Sequence, residues 1–206
     1  IEECVRRGIT VSAAHTAATY EQMRAAVALG VTQTTHTGNA MTGLHHREPG
    51  TLCAALTLNE LNCEMICDNI HIHPTVQDII YRCKGADHVI LISDAIRGAG
   101  QADGAYKIDE RTVTIKDGIV RLPDGTLAGS TLTMERALRN FLAATGETLA
   151  NIWQTSSLNA ARSIGVSGRK GSLEQGKDAD LVLVDADINV QVTVAEGRVV
   201  YRNTSF

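Results

Sequence analysis

The chain has 206 residues, 44% of them hydrophobic and 20% charged, with a formal net charge of -4 at pH 7, which is the composition of a globular protein able to bury a sizeable core. Mild acidity argues against a nucleic-acid partner, which shows as a basic face. No apolar run approaches the ~20 residues that span a bilayer, so no membrane partner is expected, and no signal-peptide pattern is present.

Aromatic residues make up 3% of the chain, so stacking on rings is not expected to dominate binding. The cysteines, Cys4, Cys53, Cys63, Cys67 and Cys83, are odd in number and form no C-x-x-C pair. Reduced thiols and a cytoplasmic location are expected, with Cys63 and Cys67 as core residues of a strand.

In chain order, Glu2 to Arg7 reads as a helix end with Gly8 as its C-cap. A chain that opens there without methionine is expected to be the back portion of something longer. Ile9 to Ala14 is β-branched and small, a buried strand ending at His15. Thr19 with Gln22 makes a capping box for a helix with Met23, Ala26 and Val27 on one face, closed by Gly30. Val31 to Thr35 is the next strand, ending at His36. The following loop carries Asn39 and the basic cluster His45, His46 and Arg47, a seat for an anionic group, before Pro49-Gly50 turns the chain. Leu52 to Asn59 reads as a looser segment with small apolar residues.

Asn62 to Cys67 is a third strand, running into Asp68, His71, His73 and Pro74. The helix after it has Val76, Ile79, Ile80 and Cys83 on one stripe. His88 to Ser93 is a near-continuous apolar strand, as expected where both faces are buried, and it ends at Asp94. Tyr106 to Leu127 reads as hairpins with Asp117-Gly118 and Asp124-Gly125 turns. A helix is expected over Thr131 to Thr145, with Met134, Leu138, Phe141 and Leu142 buried, and others after Thr148 and over Ser157 to Ile164. Strands at 181–185, 190–194 and 198–201 suggest a separate small β-domain needing strands from elsewhere.

The repeated unit is strand, polar residue, helix, which implies a parallel sheet. The expected fold class is α/β. The strands deliver His15, His36, His71 and Asp94 at their C-terminal ends, the active-site face of a (β/α) barrel. His15 and His36 could share a divalent metal, with Zn²⁺ favoured by nitrogen donors and Fe²⁺, Co²⁺ or Mn²⁺ also suitable. A third ligand is expected from residues before Ile1. Such an ion lowers the pKa of bound water to about 7. Asp94 is then the natural general base, although Ser93-Asp94 also suits a helix N-cap. His71 would orient or polarise a scissile carbonyl, while His73, one alternation on, is expected to be structural. Gly129-Ser130, read as preceding a helix, offers backbone N–H groups to an anion or a polar sugar group.

Together these motifs resemble the N-acetylglucosamine-6-phosphate deacetylase family of the amidohydrolase superfamily. The resemblance is carried by Ser12-Ala13-Ala14-His15, Thr35-His36, Asn39-Ala40-Met41, His45-His46-Arg47-Glu48-Pro49-Gly50, Asp68 to His71, Ser93-Asp94-Ala95, Leu127-Ala128-Gly129-Ser130 and the closing Gly176-Lys177-Asp178-Ala179-Asp180-Leu181. It implies the second half of a (β/α)8 TIM-like barrel over residues 1–170, with a hairpin excursion at about 105–128, and part of a small β-sandwich over 171–206. It implies His15 and His36 as metal ligands, Asp94 as catalytic acid/base and His71 as the contact to the acetyl carbonyl. Asn39, Ala40, Arg47, Leu127, Ala128 and Gly129 become contacts to an amino-sugar 6-phosphate. In that family the equivalent of Arg47 can serve the neighbouring subunit's site, which implies a homodimer. Relatives acting on N-acetylgalactosamine 6-phosphate share these motifs, so that epimer is an alternative substrate. A truncated, non-catalytic sugar-phosphate binder and a cyclic-amide hydrolase are further alternatives, and Arg47 with its adjacent histidines argues against the last.

Overall fold

The computed structural model describes residues 1–108 and 110–204. Asp109, inside the expected hairpins, and Ser205 and Phe206, at the end of the expected β-domain, lie outside the described residues.

After a short helix α1 (Glu2–Arg6), the strands β1 (Val11–Ala13), β2 (Val31–Thr34), β3 (Asn62–Met65) and β4 (Val89–Leu91) form a four-stranded sheet in sequence order. Each adjacent pair is parallel. The crossovers carry helices α2 (Tyr20–Ala28), α3 (Thr51–Thr57) and α4 (Pro74–Lys84). A parallel sheet wound in one direction places every strand's C-terminal end on the same edge, and that edge holds the candidate site residues.

Local chemistry explains where the helices start and stop. The Thr19–Gln22 capping box forms as expected, each side chain accepting from the other's backbone N–H. α4 begins with Pro74, whose missing N–H costs nothing at that position. His73 caps it, Nδ1 accepting from the Thr75 N–H at 3.2 Å, so His73 is structural, as expected. Gly85 at φ 67° ends it.

Leu52 to Asn59 is not loose: α3 fills most of it, with Thr51, Ala54, Ala55 and Leu56 buried. Its N-cap, Gly50, offers no side chain, and its small alanines let it lie close to the sheet. Tertiary packing, rather than a cap or a polar face, makes this helix.

The core lies between the sheet and its helices. Met65 and Leu91 of the sheet pack with Ile80 of α4 and Phe141 of α5 (Met134–Thr145), all at most 3% exposed. Tyr81 meets Phe141 edge-to-face with ring centroids 5.7 Å apart. Cys63 and Cys67 are both buried, although only Cys63 lies within β3. α5 begins three residues later than the expected Thr131, because Ser130 is spent on a bridge to Ala95 in the segment beyond β4. α6 (Leu149–Ile152) and α7 (Leu158–Ser163) follow, joined by a 3₁₀ turn.

Two antiparallel sheets accompany the parallel one. β5 (Gly104–Ile108), β6 (Arg111–Lys116) and β7 (Ile119–Arg121) form the first, around Val113, Ile115 and Val120. β8 (Leu181–Val184), β9 (Val190–Ala195) and β10 (Arg198–Arg202) form the second. The Asp178 carboxylate is shared by Arg169 and Lys170, and Lys170 also reaches Asp180. The Gly-Lys-Asp-Ala-Asp-Leu run is thus an ion-pair latch at the start of β8. Among the described residues no helix is long and apolar enough to cross a membrane.

Candidate active site

Beyond β1, β2 and β4 the backbone enters the left-handed region at His15 (φ 42°), His36 (φ 33°) and Asp94 (φ 48°). Ala40 (φ 49°) and Asn69 (φ 65°) do the same in the loops beyond β2 and β3. For a residue with a Cβ this conformation costs of order 1–3 kcal/mol and clusters where function demands a fixed side chain. Backbone bonds hold it in place. The Thr35 N–H donates to Ala13 O at 2.9 Å, Thr37 N–H to Glu64 O at 2.7 Å, and Asn39 N–H to His36 O at 2.9 Å.

His15 and His36 converge. Their Nε2 atoms lie 3.0 Å apart and their rings meet edge-on, centroids 4.8 Å apart. Nitrogens held by one tetrahedral zinc, each at about 2.0–2.1 Å, stand roughly 3.3 Å from each other. The pair therefore fits one shared ion with little movement, and neutral imidazole nitrogen is a donor such an ion prefers. His36 Nδ1 is buried without a hydrogen-bond partner. Among the described residues no group of three or more His, Cys, Asp or Glu converges on a point that could hold a metal. His15 and His36 are thus a pair, and Asp94 does not join them as a third donor.

Asp94 caps no helix, since the next element is β5. Its carbonyl accepts from the Ser130 N–H at 2.8 Å, and Ser130 O accepts from the Ile96 N–H at 2.9 Å. The Ser130 hydroxyl donates to Ser93 O. A Cβ on Gly129 (φ 71°) would lie 2.7 Å from Ile96 Cγ2 and 3.1 Å from Asp94 O. Gly129 and Ser130 therefore clasp the end of β4. The helix start expected at Gly129-Ser130 is not found: α5 begins at Met134, and the Ser130 N–H is spent on Asp94 O.

Glu64, a half-buried carboxylate in β3, joins the site although it belongs to none of the sequence motifs. Its Oε1 accepts from Gln33 Nε2 at 2.8 Å. Burial first, and then the negative Asp94, hold its carboxyl above the ordinary range. A lone acid inside a short apolar strand was the available signal.

His71 is placed by its own loop. Its Nδ1 lies 2.7 Å from Asp68 Oδ2, with the two side chains 9% and 3% exposed. Asp68 Oδ1 accepts from the backbone N–H groups of Ile70 and His71, both at 2.8 Å. Burial pushes the Asp68 carboxyl up, but the bonds from the His71 ring and the two N–H groups outweigh it and leave it below the ordinary range. Behind the loop, buried Gln77 of α4 donates to Asn69 Oδ1 at 2.9 Å and to Ile72 O at 3.1 Å.

The remaining candidates line two segments. Asn39 Nδ2 donates to His36 O at 3.1 Å, and Ala40 O accepts from the Thr16 N–H at 3.1 Å, tying this loop to the segment that follows β1. His45, His46 and Arg47 are exposed, with Arg47 Nη1 2.7 Å from His46 Nε2. Leu127 bridges Arg121, and the Ala128 N–H donates to Val120 O at 3.2 Å, so this segment joins the β5–β7 sheet to Asp94.

Known proteins resemble this chain in sequence and in structure. A 40% identical match is N-acetylglucosamine-6-phosphate deacetylase from Lysinibacillus sphaericus, over 97% of this chain and 51% of that protein. N-acetylgalactosamine-6-phosphate deacetylase from Escherichia coli O157:H7 is 39% identical over 96% of this chain and 52% of its own length. The crystal structure of N-acetylglucosamine-6-phosphate deacetylase from Thermotoga maritima superposes with a TM-score of 0.93 at 39% identity, covering 98% of this chain and 55% of that one. The chain spans about half the length of the curated relatives it matches. The amidohydrolase family model matches residues 1–200, and with the strand-end histidines in place this chain belongs to the amidohydrolase family.

Proposed function

We propose that the intact protein carrying this chain is a metal-dependent amide hydrolase that removes the acetyl group from N-acetylglucosamine 6-phosphate, giving glucosamine 6-phosphate and acetate. The observation that carries this reading is the pair of Nε2 atoms 3.0 Å apart on two left-handed strand ends. Residues 1–170 are read as the second half of a (β/α)8 barrel and 171–206 as part of a small β-sandwich.

His15 and His36 would hold a divalent ion, Zn²⁺ before Fe²⁺, Co²⁺ or Mn²⁺, which when bound makes water acidic enough to be a nucleophile near neutral pH and polarises a carbonyl. Asp94 takes the proton of the attacking water on its carboxylate and returns it to the amine nitrogen as the C–N bond breaks. His71 contacts the acetyl carbonyl. Asn39, Ala40 and the Leu127–Gly129 segment bind the sugar. Arg47, exposed on its loop, reaches the phosphate, in a homodimer that of a second copy. The free thiols fit a cytoplasmic setting.

The test measures bound metal and acetate release together. His36→Ala should lose both, while intact hydrolysis in that variant would remove the metal assignment. The second reading, N-acetylgalactosamine 6-phosphate as substrate, is favoured by the Escherichia coli relative of nearly equal identity. Turnover on the two epimers decides between them. Tight binding of both sugars without acetate release would instead support a non-catalytic binder.

A further inference from the structure

We propose that Asp68 is a positioning residue that keeps one proton of His71 on Nδ1 and balances the charge of a second on Nε2, so that the ring meets the site as a charged hydrogen-bond donor. The proposal rests on the deacetylase reading of His71.

An ionised carboxylate accepts and cannot donate. Asp68 Oδ2 lies 2.7 Å from His71 Nδ1, so Nδ1 carries the proton. A neutral ring protonated there has a bare lone pair on Nε2. A carbonyl oxygen is also an acceptor, and two acceptors do not bond. Contact between His71 and an acetyl carbonyl therefore requires imidazolium, with protons on both nitrogens.

Asp68 is built to support that state. Its side chain is 3% exposed, and that of His71 9%. A charged ring in so dry a place needs a counter-charge within contact, and Asp68 supplies one. The other oxygen of Asp68 is committed to the N–H groups of Ile70 and His71, which fixes the carboxylate's plane. Gln77, fully buried, pins Asn69 and Ile72 on either side of His71. The ring is thus held from its own loop and from α4. Hydrogen bonds with an ionised partner are roughly twice as strong as neutral ones, so a charged donor grips a developing negative oxygen harder than a neutral one.

The decisive measurement is nitrogen NMR of the histidine rings in the intact, metal-loaded protein, with His71 assigned by its loss in His71→Gln. The wild type should show Nδ1 protonated, and Nε2 protonated as well at the pH of turnover. In Asp68→Asn the two backbone N–H groups still require the side-chain oxygen, so the amide nitrogen must face the ring. That donor forces the proton off Nδ1 and leaves a neutral ring protonated on Nε2. Turnover should then fall about tenfold in kcat, with KM and metal content within twofold of wild type, and Asp68→Glu should recover part of both the NMR signature and kcat. A wild-type ring with bare Nδ1, or with bare Nε2 at the pH of turnover, overturns the proposal without any variant. So does Asp68→Asn with an unchanged ring, or with a changed ring and unchanged kcat. Absence of acetate release from the wild type would instead sink the deacetylase reading and leave the ring's protonation to be read separately.

Discussion

Two groups of left-handed residues in this molecule sit in settings that differ in kind. In the antiparallel sheets they sit in tight reversals. Asp117-Gly118 (φ 52°, 75°) joins β6 to β7, and Glu196-Gly197 (φ 49°, 76°) joins β9 to β10. A two-residue hairpin closed by a type I′ turn needs positive φ at both positions to match the twist of its strands, so these residues serve the fold. At the ends of β1, β2 and β4 no hairpin reversal demands such a conformation, yet His15, His36 and Asp94 adopt it. Strain that the topology does not require coincides with the side chains that carry the proposed chemistry. This contrast separates conformational cost met for folding from cost met for function.

The largest effect that sharpens this comparison is at Asp94. Asp94→Ala should lose about 10²–10⁴-fold in turnover, the usual scale of a positioned acid/base. Asp94→Gly should be equally inactive yet more stable than Asp94→Ala by about 1–2 kcal/mol, because glycine adopts φ 48° without a Cβ penalty. Chemical denaturation of the two variants compares them directly. Equal stability would mean that the left-handed backbone at this strand end carries no strain.

Next in size is a pair of glycine substitutions, one in each setting. Gly129→Ala meets Ile96 Cγ2 at 2.7 Å and the Asp94 carbonyl at 3.1 Å, at φ 71°. Overpacking against backbone adds to the left-handed penalty, for a loss of about 2–4 kcal/mol, and turnover falls with it because Asp94 is displaced. Gly125→Ala, at φ 88° in the loop after β7, has open space around its new methyl. It should cost about 1–2 kcal/mol and leave turnover alone. Equal losses of stability and activity in the two variants would break the distinction between the settings.

The same contrast decides what could be read from the sequence. The hairpins were legible because Asp-Gly turns are local chemistry. So were the Thr19–Gln22 box, with partners three residues apart, and β4, whose apolar run declares a strand buried on both faces. The strand ends were legible as positions but not as conformations: His15 and His36 were expected to meet, and although histidine is enriched at positive φ, no spacing fixes φ near 40° at these two. The start of α5 was misplaced because Ser130 answers to Ser93, 37 residues away in the chain. α3 was missed because its stability comes from alanines fitting under neighbours, without a cap or charged face. Asp68 was visible as a motif member, but its bond to His71 depends on how the loop folds. Glu64 gives no local pairing signal because its neighbours, Gln33 of β2 and Asp94 beyond β4, are distant in the chain.

A smaller effect concerns pH at the Asp68–His71 loop, which a carboxylate orders. Bonds from His71 and two backbone N–H groups hold the Asp68 carboxyl below the ordinary 3.8. A depressed folded-state value stabilises the fold fully above the unfolded value, and that contribution is lost as pH falls through the folded one. Melting temperature should therefore decline below about pH 5 more steeply in wild type than in Asp68→Asn, whose side chain does not titrate. Parallel acid limbs would show that Asp68 gains nothing from its partners on folding.

The smallest effect lies in the turn at Glu196. Position 196 opens a two-residue hairpin at φ 49°, where asparagine is preferred because its side chain tolerates the left-handed region. The Glu196 N–H donates to Asp180 Oδ1 at 2.7 Å, a backbone contact that any residue keeps. Its carboxylate faces Arg169 at 3.8 Å with both side chains largely exposed, an ion pair worth little in water. Glu196→Asn should thus gain about 0.5 kcal/mol, as the relief of the turn exceeds the loss of the pair, with turnover unchanged. The analogous swap at His36 would relax a comparable backbone angle and remove an imidazole of the converging pair. Stability rising in both variants while acetate release survives in one alone would show the same strain serving two purposes.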